Sequence, residues 1–505
     1  MIKMRRHSII RSKLNLSTFR DFLCRNKLLA VMFFVSSVYF MIQHFFYLSW
    51  DFSVYAENSK YLFSGGNYFE LMRPPLMPLL IGIASLFKFY DPGEYIFIVL
   101  ANLLYLFMCY RLSQKLNVNK ALFYALCLNP YVLSWGLFNG TEMLALSLVG
   151  LFIFYLSEEK DAGFLLGLAF LARYTVLPLS VLLLFYKKPV KILKNAVYLL
   201  LPVLLWLSYD HLLAGSPFSS IADSYANNIL SRQHMIQPFD FTDILFAGNM
   251  LLALSAYYIY RLMKDRKFRI LQAKEWKMSI IMVLVIASAI YSYASTPFKD
   301  PRYLFNLTLP FAYFSAKGLA SFFGNRHGSS SNKNDYRYNN IAFAIGIIFL
   351  IIGFLGLLII SPHDSIIKKD FEKDIAEING LGIKNCSIRS DAWPLLNHYG
   401  YRSNFNKDLL TEKYLEKGEV LVLFPKYGEY KYEDMDRLDK KFVLKKTKDY
   451  IVLKDPDKKC KDAERIFHSF LSGYNESLYL LKNKTIEIRP LSVLLGDLEY
   501  DGSVG

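Results

Sequence analysis

Long uncharged apolar stretches, each close to twenty residues, succeed one another through residues 1–361, separated by short segments that hold most of the charge. As α-helices, runs of this length match the roughly 30 Å hydrocarbon core of a bilayer. They predict spans near 28–49, 95–110, 121–138, 143–157, 192–209, 244–260, 278–295, 303–322 and 341–361. Residues 75–90 are apolar but short and carry Pro78 and Lys88. Residues 162–186 form one long run, interrupted by Arg173 and then Pro178, that reads either as one span or as a hairpin of two half-spans. After residue 361 the period changes. Ile366–Ile378 has the spacing of an amphipathic helix stopped by Gly380. Cys386–Arg389 and Glu419–Phe424 read as strands, Lys441–Leu444 with Tyr450–Leu453 as a hairpin, and Asp462–Leu471 as a helix.

Composition supports a membrane protein. Of 505 residues, 53% are hydrophobic and only 20% charged, which excludes a soluble globular enzyme and a disordered chain. The net charge of +16 is unevenly placed: residues 362–505 hold 25 Lys/Arg and 25 Asp/Glu, so the surplus lies in the first 361 residues. There, 25 of 34 basic residues sit in five short stretches: the tail to Lys27, Arg111–Lys120, Lys187–Lys194, Arg261–Lys277 and Arg326–Arg337. Basic residues in short loops between apolar spans mark the cytoplasmic side. The charge thus reports topology, not a nucleic-acid partner.

Putting every basic stretch inside keeps 75–90 on the outer surface and makes 162–186 enter and return, with Arg173 near the outer turn. The expected fold is a polytopic α-helical membrane protein of about eleven spans with a C-terminal extracytoplasmic α/β domain. Its divisions are a basic cytoplasmic tail (1–27), a transmembrane domain (28–361) with a first outer loop (50–94), and an external domain (362–505). A rival count lets 75–90 cross and 162–186 cross once; it misplaces Arg111–Lys120 and puts Glu142 inside. Leu28–Ser49 is too long for the apolar region of a signal peptide and reads as a retained first span. Five cysteines show no metal-ligand spacing. Cys386 and Cys460 either pair, if their domain faces an oxidising space, or never meet. Asn139, Asn306, Asn385, Asn475 and Asn483 head N-x-S/T tripeptides on the expected outer side.

The most informative stretch follows the first span: Trp50-Asp51-Phe52-Ser53-Val54-Tyr55, then Gly65-Gly66-Asn67-Tyr68, then Arg73-Pro74-Pro75-Leu76. A carboxylate at the membrane surface, partly desolvated by aromatics, is expected to have raised basicity suited to proton abstraction. The competing reading is that Asp51 caps the helix that follows. Arg173, alone in an apolar run, must face protein, water or an anion.

This order of motifs resembles the start of the GT-C membrane glycosyltransferases, the superfamily of dolichyl-phosphate-mannose protein mannosyltransferases and lipid A aminoarabinose transferases. Asn139-Gly140-Thr141-Glu142-Met143, the Gly163–Tyr174 stretch (GFLLGLAFLARY), Asp300-Pro301-Arg302-Tyr303 and Ser390-Asp391-Ala392-Trp393-Pro394 resemble later segments of the same pattern, in the same order. The resemblance implies a cell-envelope enzyme that moves a sugar from a dolichyl or undecaprenyl phosphate to a hydroxyl of glycan, lipid or protein. It implies inversion at the sugar carbon, with Asp51 as base and Glu142 positioning hydroxyls. Arg173 and Arg302, with Tyr303, would take the donor phosphate, since guanidinium matches phosphate bidentately. Tyr55, Arg73 and His234 would line the substrate site. Some relatives carry an acidic pair after the first span and use a divalent metal; here the loop provides Asp51 alone, so a metal would have to draw on Asp51 and Glu142 together. Each residue also has a plain reading: Arg302 as an interface anchor, Arg173 as the partner of a buried carboxylate, Glu142 as a helix N-terminal acid. The competing function is a transporter or flippase of lipid-linked sugars, against which stands the lack of an internal repeat between halves.

Overall fold

The computed structural model describes residues 26–230, 232, 236–264, 273–324, 331–359, 366–404, 412–426 and 442–469. In chain order, α1 (Lys27–Phe46) leads into β1 (Tyr47–Leu48), α2 (Trp50–Ser64), β2 (Tyr68–Glu70) and α3 (Leu76–Ala84). Then come α4 (Tyr90–Leu116), α5 (Lys120–Cys127), α6 (Pro130–Trp135), α7 (Thr141–Ser157) and α8 (Gly163–Ala172), followed by a 3-10 segment over Tyr174–Phe185. Next are α9 (Pro189–Ala214), α10 (Ser219–Tyr225), α11 (Phe241–Lys264), α12 (Ala273–Ser295), a 3-10 turn over Pro301–Leu307, α13 (Thr308–Gly324) and α14 (Ser331–Ile359). Among the described residues, six helices have the length and apolarity to cross a membrane: α1, α4, α9, α11, and most of α12 and α14.

Of the other expected spans, 143–157 is the single 17-residue α7, and the rest are built from shorter pieces. The stretch 121–138 breaks where Asn129 accepts from the Val132 amide at 3.2 Å and Pro130 starts α6; proline carries no N–H to continue the helix before it. At nine residues, about 14 Å, α3 is too short to span. Residues 160–186 leave and return: the Tyr186 hydroxyl donates to the Lys160 carbonyl at 2.8 Å, and the Lys187 amide to Glu159 at 3.3 Å. Arg173 stands at the change from α8 to the 3-10 segment.

Two glycines allow α8 to lie directly on α9. A Cβ at Gly163 would sit 1.9 Å from the Asn195 carbonyl oxygen, and one at Gly167 2.3 Å from that of Leu199. This is close packing through small residues four apart. The Asn195 side chain also accepts from the Ala162 and Gly163 amides at 2.7 and 2.8 Å, capping the start of α8.

One end of the bundle gathers the basic loops. Lys115 lies 3.7 Å from Glu158, Lys277 3.0 Å from Glu159, and Lys194 2.6 Å from Asp161. The 17 residues of α7 carry the chain from there to Glu142, roughly 25 Å away.

The C-terminal region sits on the Glu142 end. After β3 (Ile366–Ile367) and α15 (Lys368–Asn379) come β4 (Ile388–Ser390), α16 (Trp393–His398), β5 (Ser403–Asn404), α17 (Glu412–Leu415), β6 (Val420–Leu423), β7 (Val443–Lys446), β8 (Ile451–Leu453) and β9 (Ile466–His468). Five strands form a mixed sheet in the order β5-β4-β6-β8-β7, with β4 parallel to both β5 and β6. Residues 462–469 contain β9 rather than the expected helix. Their partner is β2, about 400 positions earlier, paired in parallel as Tyr68↔Ile466 and Glu70↔His468. A contact that distant leaves no local periodicity to read. A disulfide between Cys386 and Cys460 ties the segment before β9 to the sheet. The docking is completed by β1 against β3, by Trp50 edge-on to Trp393 at 4.9 Å, and by the Trp393 indole N–H donating to the Tyr68 hydroxyl at 2.8 Å. Asn139 is buried and accepts from Ser49, a poor position for a glycan. Asn475 and Asn483 lie outside the described residues.

Asp374 of α15 gives a pH test of this domain. Burial, then the charges of Asp449, Glu377 and Asp370, push its carboxyl from 3.8 up to about 6. A value raised on folding means that the folded domain holds the proton more tightly, so stability is lost as pH rises from about 4 to about 6. Asp374→Asn should raise the melting temperature of this domain at pH 7 and change it little at pH 4. Equal shifts at both would show that titration is not the cause.

Candidate functional site

The first loop and the late 3-10 turn meet at the end opposite the basic loops. Asp51 lies in the first turn of α2, but Ser49 caps that helix: its hydroxyl accepts from the Phe52 amide at 3.3 Å. The Asp51 carboxylate is therefore spent on side chains. Oδ1 takes Arg73 Nη1 at 2.7 Å, and Oδ2 takes Arg302 Nη1. Each arginine has a second acid, Arg73 Nε reaching Glu70 at 2.7 Å and Arg302 Nε reaching Asp300 at 2.6 Å. Asp300 also fixes its own turn, since its Oδ1 accepts from the Arg302 amide at 3.0 Å. The result is an alternating chain, Glu70–Arg73–Asp51–Arg302–Asp300, drawn from two segments some 230 residues apart.

A second pair lies beside it. Glu142, at the start of α7, takes Arg173 Nη1 at 2.6 Å and accepts from the Thr141 hydroxyl at 3.2 Å. The turn before it needs Gly140, whose φ of +90° and contact with Met77 leave no room for a side chain. Tyr55 joins the two groups. The Arg73 guanidinium lies 5.6 Å from its ring centroid, and its hydroxyl feels the charges of Arg73, Asp51, Glu142 and Arg173. Burial above all pushes that hydroxyl up to about 12.

The arginines overturn the expected raised basicity of Asp51. Burial works to raise its carboxyl, but Arg73 and Arg302 more than offset it and hold Asp51 well below the usual carboxylate range. In the unliganded site Asp51 is a firmly ionised counter-ion and a weak base. Glu70, the innermost acid, is fully buried, whereas Asp51, Arg73 and Arg302 keep 11–21% exposure.

The arrangement thus brings together Asp51, Tyr55, Arg73 and Arg302, with Tyr303 close enough to Arg302 to interact electrostatically. Arg173 meets Glu142 rather than Asp51, which makes it the partner of a buried carboxylate. His234 lies outside the described residues. Asp210 is buried and accepts from the Ser220 amide and hydroxyl at 2.8 and 2.9 Å, so it fastens α9 to the next turn. Sequence reasoning gave no role to Glu70, and quoted Asp300 only within the Asp300-Pro301-Arg302-Tyr303 motif. Their signals were the spacings Glu70-x-x-Arg73 and Asp300-x-Arg302. The donor set does not fit a divalent ion: Asp51 and Glu142 are occupied by guanidinium groups, and among the described residues no group of three or more His, Cys, Asp or Glu converges.

No family model and no curated protein sequence matches the chain. Solved structures do. A crystal structure of ArnT from Cupriavidus metallidurans bound to undecaprenyl phosphate superposes with a TM-score of 0.59 at 11% identity, over 85% of this chain and 98% of that one. The apo state of the same protein gives 0.56, again at 11% identity, over 87% and 98%. The chain has the fold of ArnT. At 85–87% of this chain, the superposed length exceeds that of residues 1–361 and so reaches into the C-terminal region. At 11% identity the likeness carries the fold and leaves function to the site.

Proposed function

We propose that this protein is an integral-membrane glycosyltransferase that takes a sugar from a polyprenyl phosphate and passes it, with inversion, to an acceptor hydroxyl at the outer membrane face. The observation that carries this reading is the doubly paired Asp51: one carboxylate shared by two guanidinium groups in a partly open site. A donor phosphate competes for those same groups. The undecaprenyl phosphate in the similarly folded ArnT supports a lipid-linked donor.

The sidedness follows from charge. If the basic loops face the cytoplasm, the site and the C-terminal region lie outside, with about eleven crossings. The Cys386–Cys460 disulfide is consistent with an oxidising exterior. Nucleotide sugars are absent there, which is a reason for a lipid-linked donor.

As the donor enters, its phosphate draws Arg302 from Asp51, because guanidinium binds phosphate oxygens bidentately and strongly. Arg302 stays anchored through Asp300. With one counter-ion removed, Asp51 becomes more basic, and it accepts the proton of the attacking hydroxyl as the new bond to the anomeric carbon forms. The bond from that carbon to the phosphate oxygen breaks, and its electron pair leaves with the polyprenyl phosphate. That leaving group is a weak base and needs no acid. In this reading Arg173 and Tyr303 complete the phosphate site, and Glu142 and Tyr55 orient hydroxyls.

Full-length protein in nanodiscs supplied with radiolabelled polyprenyl-phosphate hexoses or pentoses and a cell-envelope extract as acceptor should consume one donor, release free polyprenyl phosphate and pass the label to a component of the extract. Transport of an intact donor without cleavage would move the protein to the flippases. Mass spectrometry of envelope glycans with and without the protein then identifies the acceptor.

A further inference from the structure

A cavity of about 220 Å³ opens in the C-terminal region, with Arg389, Arg402, Glu419, Glu464, Arg465 and Phe467 among its lining residues. The lining carries four cations and three acids, Lys461 and Asp462 adding to those just named. Glu419, only 3% exposed, receives Arg389 Nε at 2.7 Å and Lys461 Nζ at 3.3 Å. Arg402 donates to the Ala463 carbonyl. At the mouth stand Glu464 and Arg465, adjacent and of opposite sign, both exposed. Phe467 is 39% exposed and stacks on buried Phe69, ring centroids 5.5 Å apart and planes within 19°.

These features select a class of ligand. A phosphate or sulfate asks for donors only, and this lining mixes carboxylates with guanidinium groups. A sugar hydroxyl both donates and accepts, so alternating fixed acceptors and donors satisfy it in either sense. The exposed Phe467 edge offers an apolar face to the C–H side of a ring. The volume lies below the roughly 300–1,000 Å³ of sites that engulf a drug-sized molecule, which suits one or two rings of a longer chain.

The cavity is also wired to the candidate centre. Phe467 belongs to β9, whose partner β2 carries Glu70 opposite His468, and Glu70 holds Arg73 on Asp51. Arg465 lies over Gly65, at the far end of the helix that begins beside Asp51. The geometry points to this cavity as the subsite for an uncharged glycan portion of the acceptor, an assignment that rests on the transferase reading above.

The test uses full-length protein in nanodiscs on an array of neutral, acidic and phosphorylated oligosaccharides of two to four hexoses. Neutral oligosaccharides should be retained, at least about tenfold more weakly by the Glu464→Ala/Arg465→Ala variant and by Phe467→Ala, and undiminished by Asp51→Asn. Retention of phosphorylated chains only, no retention at all, or retention that ignores the cavity variants overturns the assignment. Glu464 and Arg465 are exposed, so their variant should leave the disulfide and the melting temperature unchanged, whereas Phe467→Ala gives up its stack on Phe69 and should lower the melting temperature modestly; both are measured alongside. Cleavage of labelled polyprenyl-phosphate sugar by the wild type is scored separately. Cavity-dependent retention with no cleavage of any donor overturns the transferase reading and the acceptor role but leaves a glycan site, whereas cleavage without cavity-dependent retention overturns the subsite alone.

Discussion

Asp51→Asn is expected to lower sugar transfer by about 10²–10⁴-fold, the usual contribution of a positioned base, while donor binding is kept or tightened. The second half sets this prediction apart. Asp51 and the donor phosphate compete for Arg302, so removing the carboxylate's charge leaves the guanidinium freer for phosphate. A fall in the dissociation constant of polyprenyl phosphate by up to about tenfold would correspond to about 1.4 kcal/mol. The fold should survive, because Arg73 retains Glu70 and Arg302 retains Asp300. The same competition has a pH consequence. With Asp51 held well below the usual carboxylate range in the free protein, kcat/KM should show no Asp51 limb between about pH 5 and 8, since that quantity reports free-enzyme groups. Unchanged turnover, or weaker donor binding, would remove Asp51 from the role proposed for it.

Arg302→Lys should cost on the order of 10²-fold in kcat/KM for the donor, with most of the loss in donor KM. The positive charge remains, but the planar fork that reaches Asp51 through Nη1 and Asp300 through Nε is lost. Hydrogen bonds between charged groups contribute about 1.5–3 kcal/mol each, which sets the expected size. Arg302→Ala should be partly rescued by added guanidinium ion, a response that a simple membrane anchor would not show. Arg173→Lys provides the contrast. Its pair with Glu142 is separate from Asp51, so its effect should fall on the binding of hydroxyls and phosphate together and leave the Asp51-linked tightening intact. A donor KM indifferent to Arg302→Lys would assign phosphate binding elsewhere.

Much of this molecule was legible in its sequence because the bilayer imposes simple rules on the chain. Apolar runs near twenty residues and basic loops located the helices and grouped the loops, since unpaired backbone and charge are costly in hydrocarbon. Strand periodicity located β4, β6 and the β7–β8 hairpin. Motif order drew attention to Asp51, Glu142, Arg173 and Arg302. Tertiary structure alone decided which of these meet. The pairs join residues 22, 31 and 251 positions apart, so no spacing foretold that Asp51 would be clamped by Arg73 and Arg302 or that Arg173 would go to Glu142. The same holds for β9, which is a strand only because β2 lies beside it. Local pattern determines what a segment can bury; proximity determines what a charge must pair with, and at this site that pairing reverses the basicity expected of Asp51 from its position.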